Sequence, residues 1–215
     1  MTMANLTDTL LLLVLLTNFA VLAASRLTFT VRAAAVQGIL LGLLPLAIHR
    51  EWSGHSFLIA AGTLAVKGLL LPGFLLWAMR EARVRREVEP SLGPIASIGA
   101  GVLAVGLSLA LGGYLPPIGE AAPPLLLATS FATLMIGFVV LTTRRKAMTQ
   151  VVGYLLLENG VYAFGLALSV RMPAMVEMGV LLDLVVGVFI MGLVVFHMNR
   201  ELETLDSTRL TELRD

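Results

Sequence analysis

The chain has 215 residues, 58% of them hydrophobic and 13% charged, with a formal charge of +1 at pH 7. Globular domains run at about 45–50% apolar and about 25% charged, so this is the composition of a protein dissolved in lipid. The absence of cysteine excludes disulfides, thiolate metal sites and iron–sulfur ligation on this chain, and the near-neutral charge gives no sign of nucleic-acid binding.

Apolar runs broken by charged or proline-rich punctuation predict an all-α integral membrane protein with seven transmembrane helices. In chain order the spans are 10–24, 32–48, 56–79, 92–115, 125–142, 148–170 and 175–198. The first ends in "VLAAS", which resembles a signal-peptide cleavage site. It lacks a basic leader and is followed by Arg26 and Arg32, which suits an uncleaved anchor with its N-terminus outside. With that orientation Arg80, Arg83, Arg85 and Arg86, then Arg144, Arg145 and Lys146, and finally the basic residues of the tail all fall inside. Only Arg50 and Arg171 fall in outside loops, while Lys67 is left within a span, so the positive-inside rule is obeyed and the C-terminus is cytoplasmic. The expected organisation is an N-terminal four-helix membrane region (1–119), a three-helix membrane region (120–198) and a cytoplasmic tail (199–215).

The glycines of "SIGAGVLAVGLSLALGG" sit in an apolar span with no strand before them and suit close helix packing, not nucleotide binding. His49, His55 and His197 are too scattered to suggest a metal or haem site. They read as interfacial residues.

Three spans carry ionisable groups near their midpoints: Lys67 in the third, Glu158 in the sixth and Asp183 in the seventh. At 1.5 Å of rise per residue, the three should lie within several Å of one depth. A charge at that depth costs about 2.5–3.5 kcal/mol on insertion scales. Any one of them alone could be a satisfied contact between packed helices. An acid–acid–base set at one level points instead to a proton relay, since burial disfavours the ionised carboxylate while a nearby ammonium favours it. Pro72, five residues beyond Lys67, lacks an N–H and should kink or loosen the third helix beside the lysine. Accessory positions are Tyr154 and Tyr162, four residues either side of Glu158, together with the neutral Asn159 and Gln37 and the boundary residue Glu177.

At these residues the chain resembles a family. "YLLLENG", "VEMGVLLD", "AVKGLLLPG" and the tail "ETLDSTRLTELRD" together look like hydrogenase-4 component E, over essentially the whole chain and in order. From about residue 125 to the end it is also similar to the K-type (4L) membrane subunit of respiratory complex I. The resemblance places Glu158 at that subunit's first membrane glutamate and Asp183 at its second, with aspartate one methylene shorter. Lys67 and the first four helices have no counterpart there. The resemblance implies a subunit of a group 4 membrane-bound nickel–iron hydrogenase, or a formate hydrogenlyase-type complex, in a prokaryotic cytoplasmic (inner) membrane. It implies no redox or catalytic site on this chain. The nickel–iron centre and iron–sulfur clusters would sit on a peripheral hydrogenase arm, and the other partners would be antiporter-like membrane subunits and lipid. Glu158, Asp183 and Lys67 would then serve a proton or sodium path coupled to that redox chemistry. The alternatives are a structural adaptor without conduction and a stand-alone secondary transporter.

Overall fold

The computed structural model describes residues 3–48, 54–81, 92–114 and 123–169, and Gly192 alone beyond them. The seventh predicted span and the tail lie outside the described residues. Those described form α1 (Met3–Ala23), α2 (Leu27–Ile48), α3 (Gly54–Thr63), a π-helical segment (Leu64–Leu70), α4 (Leu71–Glu81), α5 (Pro94–Tyr114), α6 (Pro124–Thr143) and α7 (Ala147–Ser169). The π-helical segment joins α3 to α4 without a break, because Thr63 and Leu71 at its ends both keep right-handed helical torsions. Among the described residues six helices are therefore long and apolar enough to cross a membrane, the third being the composite one. No strand occurs among the described residues.

Three-residue turns join α1 to α2 and α6 to α7, which makes each pair an antiparallel hairpin. The second hairpin is the tighter, and glycine is the reason. A methyl group on Gly137 would come within 2.5 Å of the Leu157 backbone nitrogen, one on Gly153 within 2.6 Å of Leu141 N, and one on Gly160 within 2.6 Å of Leu134 N. These facing pairs keep one antiparallel register along the whole contact. In lipid, where apolar side chains gain nothing by leaving the solvent, such close backbone approach supplies the packing that holds helices together. Gly137→Leu should accordingly force the hairpin apart at a cost of about 1–3 kcal/mol. Thermal unfolding of the detergent-solubilised protein reads this. Gly165→Leu, at a position with nothing within 4 Å among the described residues, should leave the transition near its native temperature.

Arg144, in the α6–α7 turn, ties this hairpin to α1. Its Nη2 donates to the Leu22 carbonyl at 3.1 Å, one of the last-turn carbonyls that α1 cannot satisfy internally. Gln150 Nε2 in turn donates to the Arg144 carbonyl at 3.0 Å. Burial of the guanidinium lowers its pKa from its ordinary value. α5 lies on the outside of the bundle. It buries only a narrow stripe of Ser97, Gly101, Ala104 and Ser108, and its leucines and Val102 face outward, as a lipid-facing helix requires.

The interior is layered. One apolar cluster includes Val21, Ala34, Leu71, Leu75, Ile136 and Leu156; a second includes Val14, Leu41, Leu127, Tyr162 and Leu166. On each helix that contributes to both, a buried polar residue falls between them. These are Asn18 on α1, Gln37 on α2, Thr133 on α6, and Glu158 with Asn159 on α7. A polar layer at mid-height separates two apolar ones.

Candidate functional site

The site begins with the π-helical segment. The Leu71 N–H bonds the Val66 carbonyl, five residues back, which widens the helix by one residue per turn. Pro72 follows at once and is buried. It can supply no N–H to the carbonyls of Lys67 or Gly68, so no ordinary α ladder can form there. The loosening expected from the sequence beside Lys67 is present, as a π turn and not a simple kink.

α2 lies directly against this widened turn. A methyl group on Gly38 would come within 2.7 Å of the Lys67 carbonyl oxygen and 2.9 Å of its Cβ, and one on Gly68 within 2.9 Å of Ile39 Cγ1. Only glycine admits that approach. The result is a lysine whose backbone is gripped by α2 and whose side chain is sent into the bundle, where the residue is 4% exposed.

Its ammonium meets α7. Lys67 Nζ lies 3.8 Å from Glu158 Oε1 and donates to Asn159 Oδ1 at 3.3 Å. The ring of Tyr162 lies below it, with Nζ 5.3 Å from the centroid, a distance at which a cation is attracted by the ring face. The Tyr162 hydroxyl accepts from Thr63 Oγ1 at 3.0 Å, which ties α7 to the last residue of α3, just before the π-helical segment. Glu158 is buried alongside, 6% exposed.

From Asn159 a line of direct hydrogen bonds crosses the bundle. Asn159 Nδ2 donates to Gln37 Oε1 at 3.0 Å, Gln37 Nε2 to Asn18 Oδ1 at 2.8 Å, and Asn18 Nδ2 to Thr133 Oγ1 at 2.8 Å. Thr133 Oγ1 donates to the Thr129 carbonyl one turn back, at 2.8 Å. Gln37 Nε2 also reaches the Val14 carbonyl at 3.4 Å. Every side chain in this line is buried.

Of the residues singled out from the sequence, Lys67, Glu158, Asn159, Gln37 and Tyr162 therefore come together. Tyr154 is half-buried and packs against the first apolar cluster. Asp183 and Glu177 lie outside the described residues, as do His49 and His197. Among the described residues no group of three His, Cys, Asp or Glu side chains is placed to hold a metal ion. Sequence reasoning did not single out Asn18, Thr133 or Thr63. For Asn18 the signal was there, a carboxamide inside the apolar run "LLLVLLTNFAVLA", the same signal that marked Gln37.

Comparison with known proteins matches residues 125–215 to the family of NADH-ubiquinone/plastoquinone oxidoreductase chain 4L. The chain is 32% identical over 191 residues to the uncharacterized protein Rv0085 of Mycobacterium tuberculosis, covering 86% of this chain and 85% of that one. It is 24% identical over 216 residues to hydrogenase-4 component E of Escherichia coli K12, and the match covers 100% of both chains. Over its whole length the chain is similar to hydrogenase-4 component E, and its second part matches the chain 4L family. No solved structure matches it at a significant level. The chain 4L match takes in α6 and α7, and hence Glu158, Asn159 and Thr133. Lys67, Gln37 and Asn18 come from the part before it. The buried ion pair bridges the 4L-like part and the preceding helices.

Proposed function

We propose that this multi-pass protein is a component E-type membrane-arm subunit of a complex I-like membrane-bound hydrogenase. In this reading Glu158, Lys67 and Asp183 belong to a lateral proton or sodium path through the arm. One observation carries it: a lysine and a glutamate, each nearly fully buried, face one another at 3.8 Å in a polar layer between two apolar ones. Such a pair gains little for a bundle, because taking both charges out of water costs several kcal/mol per ion and apolar residues of the same volume often serve as well or better. A carboxylate that can accept a proton beside an ammonium that can give one is suited to shifting charge in small steps. The full-length similarity to a hydrogenase component supports the assignment to such a complex.

The redox chemistry belongs to the partners. This chain has no cysteine, so a nickel–iron centre and iron–sulfur clusters would be held on a peripheral arm, in a prokaryotic inner membrane. A stand-alone transporter fits less well. Such folds commonly place broken helices in matching positions of repeated halves, and among the described residues the π-helical segment at Leu64–Leu70 has no partner of its kind.

Affinity purification of the tagged chain under mild detergent tests the reading. It should bring down other membrane subunits and a soluble arm containing nickel and iron. A monodisperse single chain from membranes that express the whole gene set would overturn it.

A further inference from the structure

The line from Lys67 to Thr133 has a direction, and chemistry fixes it. An ammonium can only donate, so the Asn159 amide must turn its oxygen to Lys67 and its nitrogen away. That nitrogen needs an acceptor, which turns the Gln37 oxygen toward it; Gln37 then donates to Asn18, and Asn18 to Thr133. The hydroxyl at the end closes the line by donating to a backbone carbonyl. Three carboxamides in series thus point their oxygen ends toward one cation, an arrangement in which each bond polarises the next.

We infer that Gln37 and Asn18 are positioning residues for Lys67. Acting through Asn159, they hold its ammonium facing Glu158 although neither touches it. A side chain with a four-carbon stem has many rotamers, and the wide π turn confines its backbone without confining its tip. The fixed acceptor Asn159 Oδ1 does that, and Asn159 is itself kept from turning by Gln37, which is anchored in turn on Asn18. The polar layer then works as one part, spanning α1, α2, the π-helical segment, α6 and α7. Its bearing on ion movement rests on the relay reading above. The positioning itself does not.

The test reads Lys67 directly, in membranes containing the complete complex. A membrane-permeant acylating reagent, acetic anhydride, modifies free amine and spares an ammonium held in hydrogen bonds. Acetylation of Lys67 is measured by peptide mass spectrometry against Lys146, in the α6–α7 turn, as internal reference. Asn18→Leu and Gln37→Met keep the volume and break the line. Each should raise relative acetylation of Lys67 by about threefold, the worth of one modest hydrogen bond. Asn18→Asp should stay near the native rate, because a carboxyl accepts from Gln37 whether ionised or not, and Thr133 can either accept from it or turn to donate.

A packing role predicts the opposite order, with leucine tolerated between two apolar layers and aspartate disruptive. Native-rate acetylation in Asn18→Leu, or equal rates in the aspartate and leucine variants, would overturn the inference. Should Asn18→Leu fail to accumulate, Thr133→Val breaks the same line at its end and carries the same two outcomes with Gln37→Met. The relay reading stands or falls on ion transport by other variants, so the two failures are separable.

Discussion

Glu158→Gln should leave the complex assembled and its coupled ion movement reduced by about tenfold or more, a modest share of the roughly hundredfold or greater contribution of a positioned acid–base group. Glutamine keeps the length and shape of the side chain, and its oxygen can still face the Lys67 ammonium. What it removes is the exchangeable proton. The ammonium would keep Asn159 as acceptor at 3.3 Å and the Tyr162 ring beneath it, so the loss of the opposite charge should appear as a lower melting temperature and not as absent protein. The decisive comparison is ions moved per electron in sealed vesicles against redox turnover in vesicles made leaky. A relay residue depresses the first and spares the second. Full pumping by an assembled Glu158→Gln complex would leave Glu158 as a packing contact.

Lys67→Arg is the second large effect. Guanidinium stays protonated at any physiological pH and cannot pass a proton on. It retains the positive charge beside Glu158, so assembly should stay near native while coupled ion movement again falls by about tenfold. Lys67→Met cannot decide the matter by itself. It leaves a buried acid without its cation, and that acid can bind a proton to escape the penalty. The arginine variant decides: near-normal transport with it would make Lys67 a fixed charge.

The spans were readable because lipid imposes a simple rule, a long apolar run bounded by charge, and the helices obey it. Where the ends differ, the reason is local. α1 begins at Met3 and not at residue 10, because Asn5, Thr7 and Asp8 lower the hydropathy without breaking the helix. α2 begins at Leu27, so Arg32, taken from the sequence as the edge of a span, sits inside the helix and points outward. The seventh span falls outside the described residues. The ion pair was legible in outline, since two mid-span charges at equal depth have few other places to go. The form of the break in the third helix was not. Proline marks where the ladder fails, but whether the turn tightens, kinks or widens depends on what packs against it, here Gly38 of α2. The carboxamide line was illegible as a line. Asn159 and Gln37 could be noticed one at a time, whereas their connection through Asn18 to Thr133 depends on the mutual register of four helices, which no single run of sequence contains.

The π-helical segment has one residue more than an α-helix would need to cover the same rise, and that surplus sets a phase. Removing a single residue from it, such as the outward-facing Leu69 or Leu70, would take away that surplus and return the turn to α-helical spacing, with only the bond that Pro72 cannot make still missing. Everything on one side of the deletion would then turn by about 100° relative to the other. α3 with Lys67 and α4 with its apolar face could no longer both address the bundle. Either the lysine would swing away from Glu158 toward lipid, or Leu75 and Ala78 would leave the core. The segment therefore acts as a spacer that reconciles two faces of one helix, and the length of the chain at this point is as much a determinant of the buried pair as the identity of the lysine.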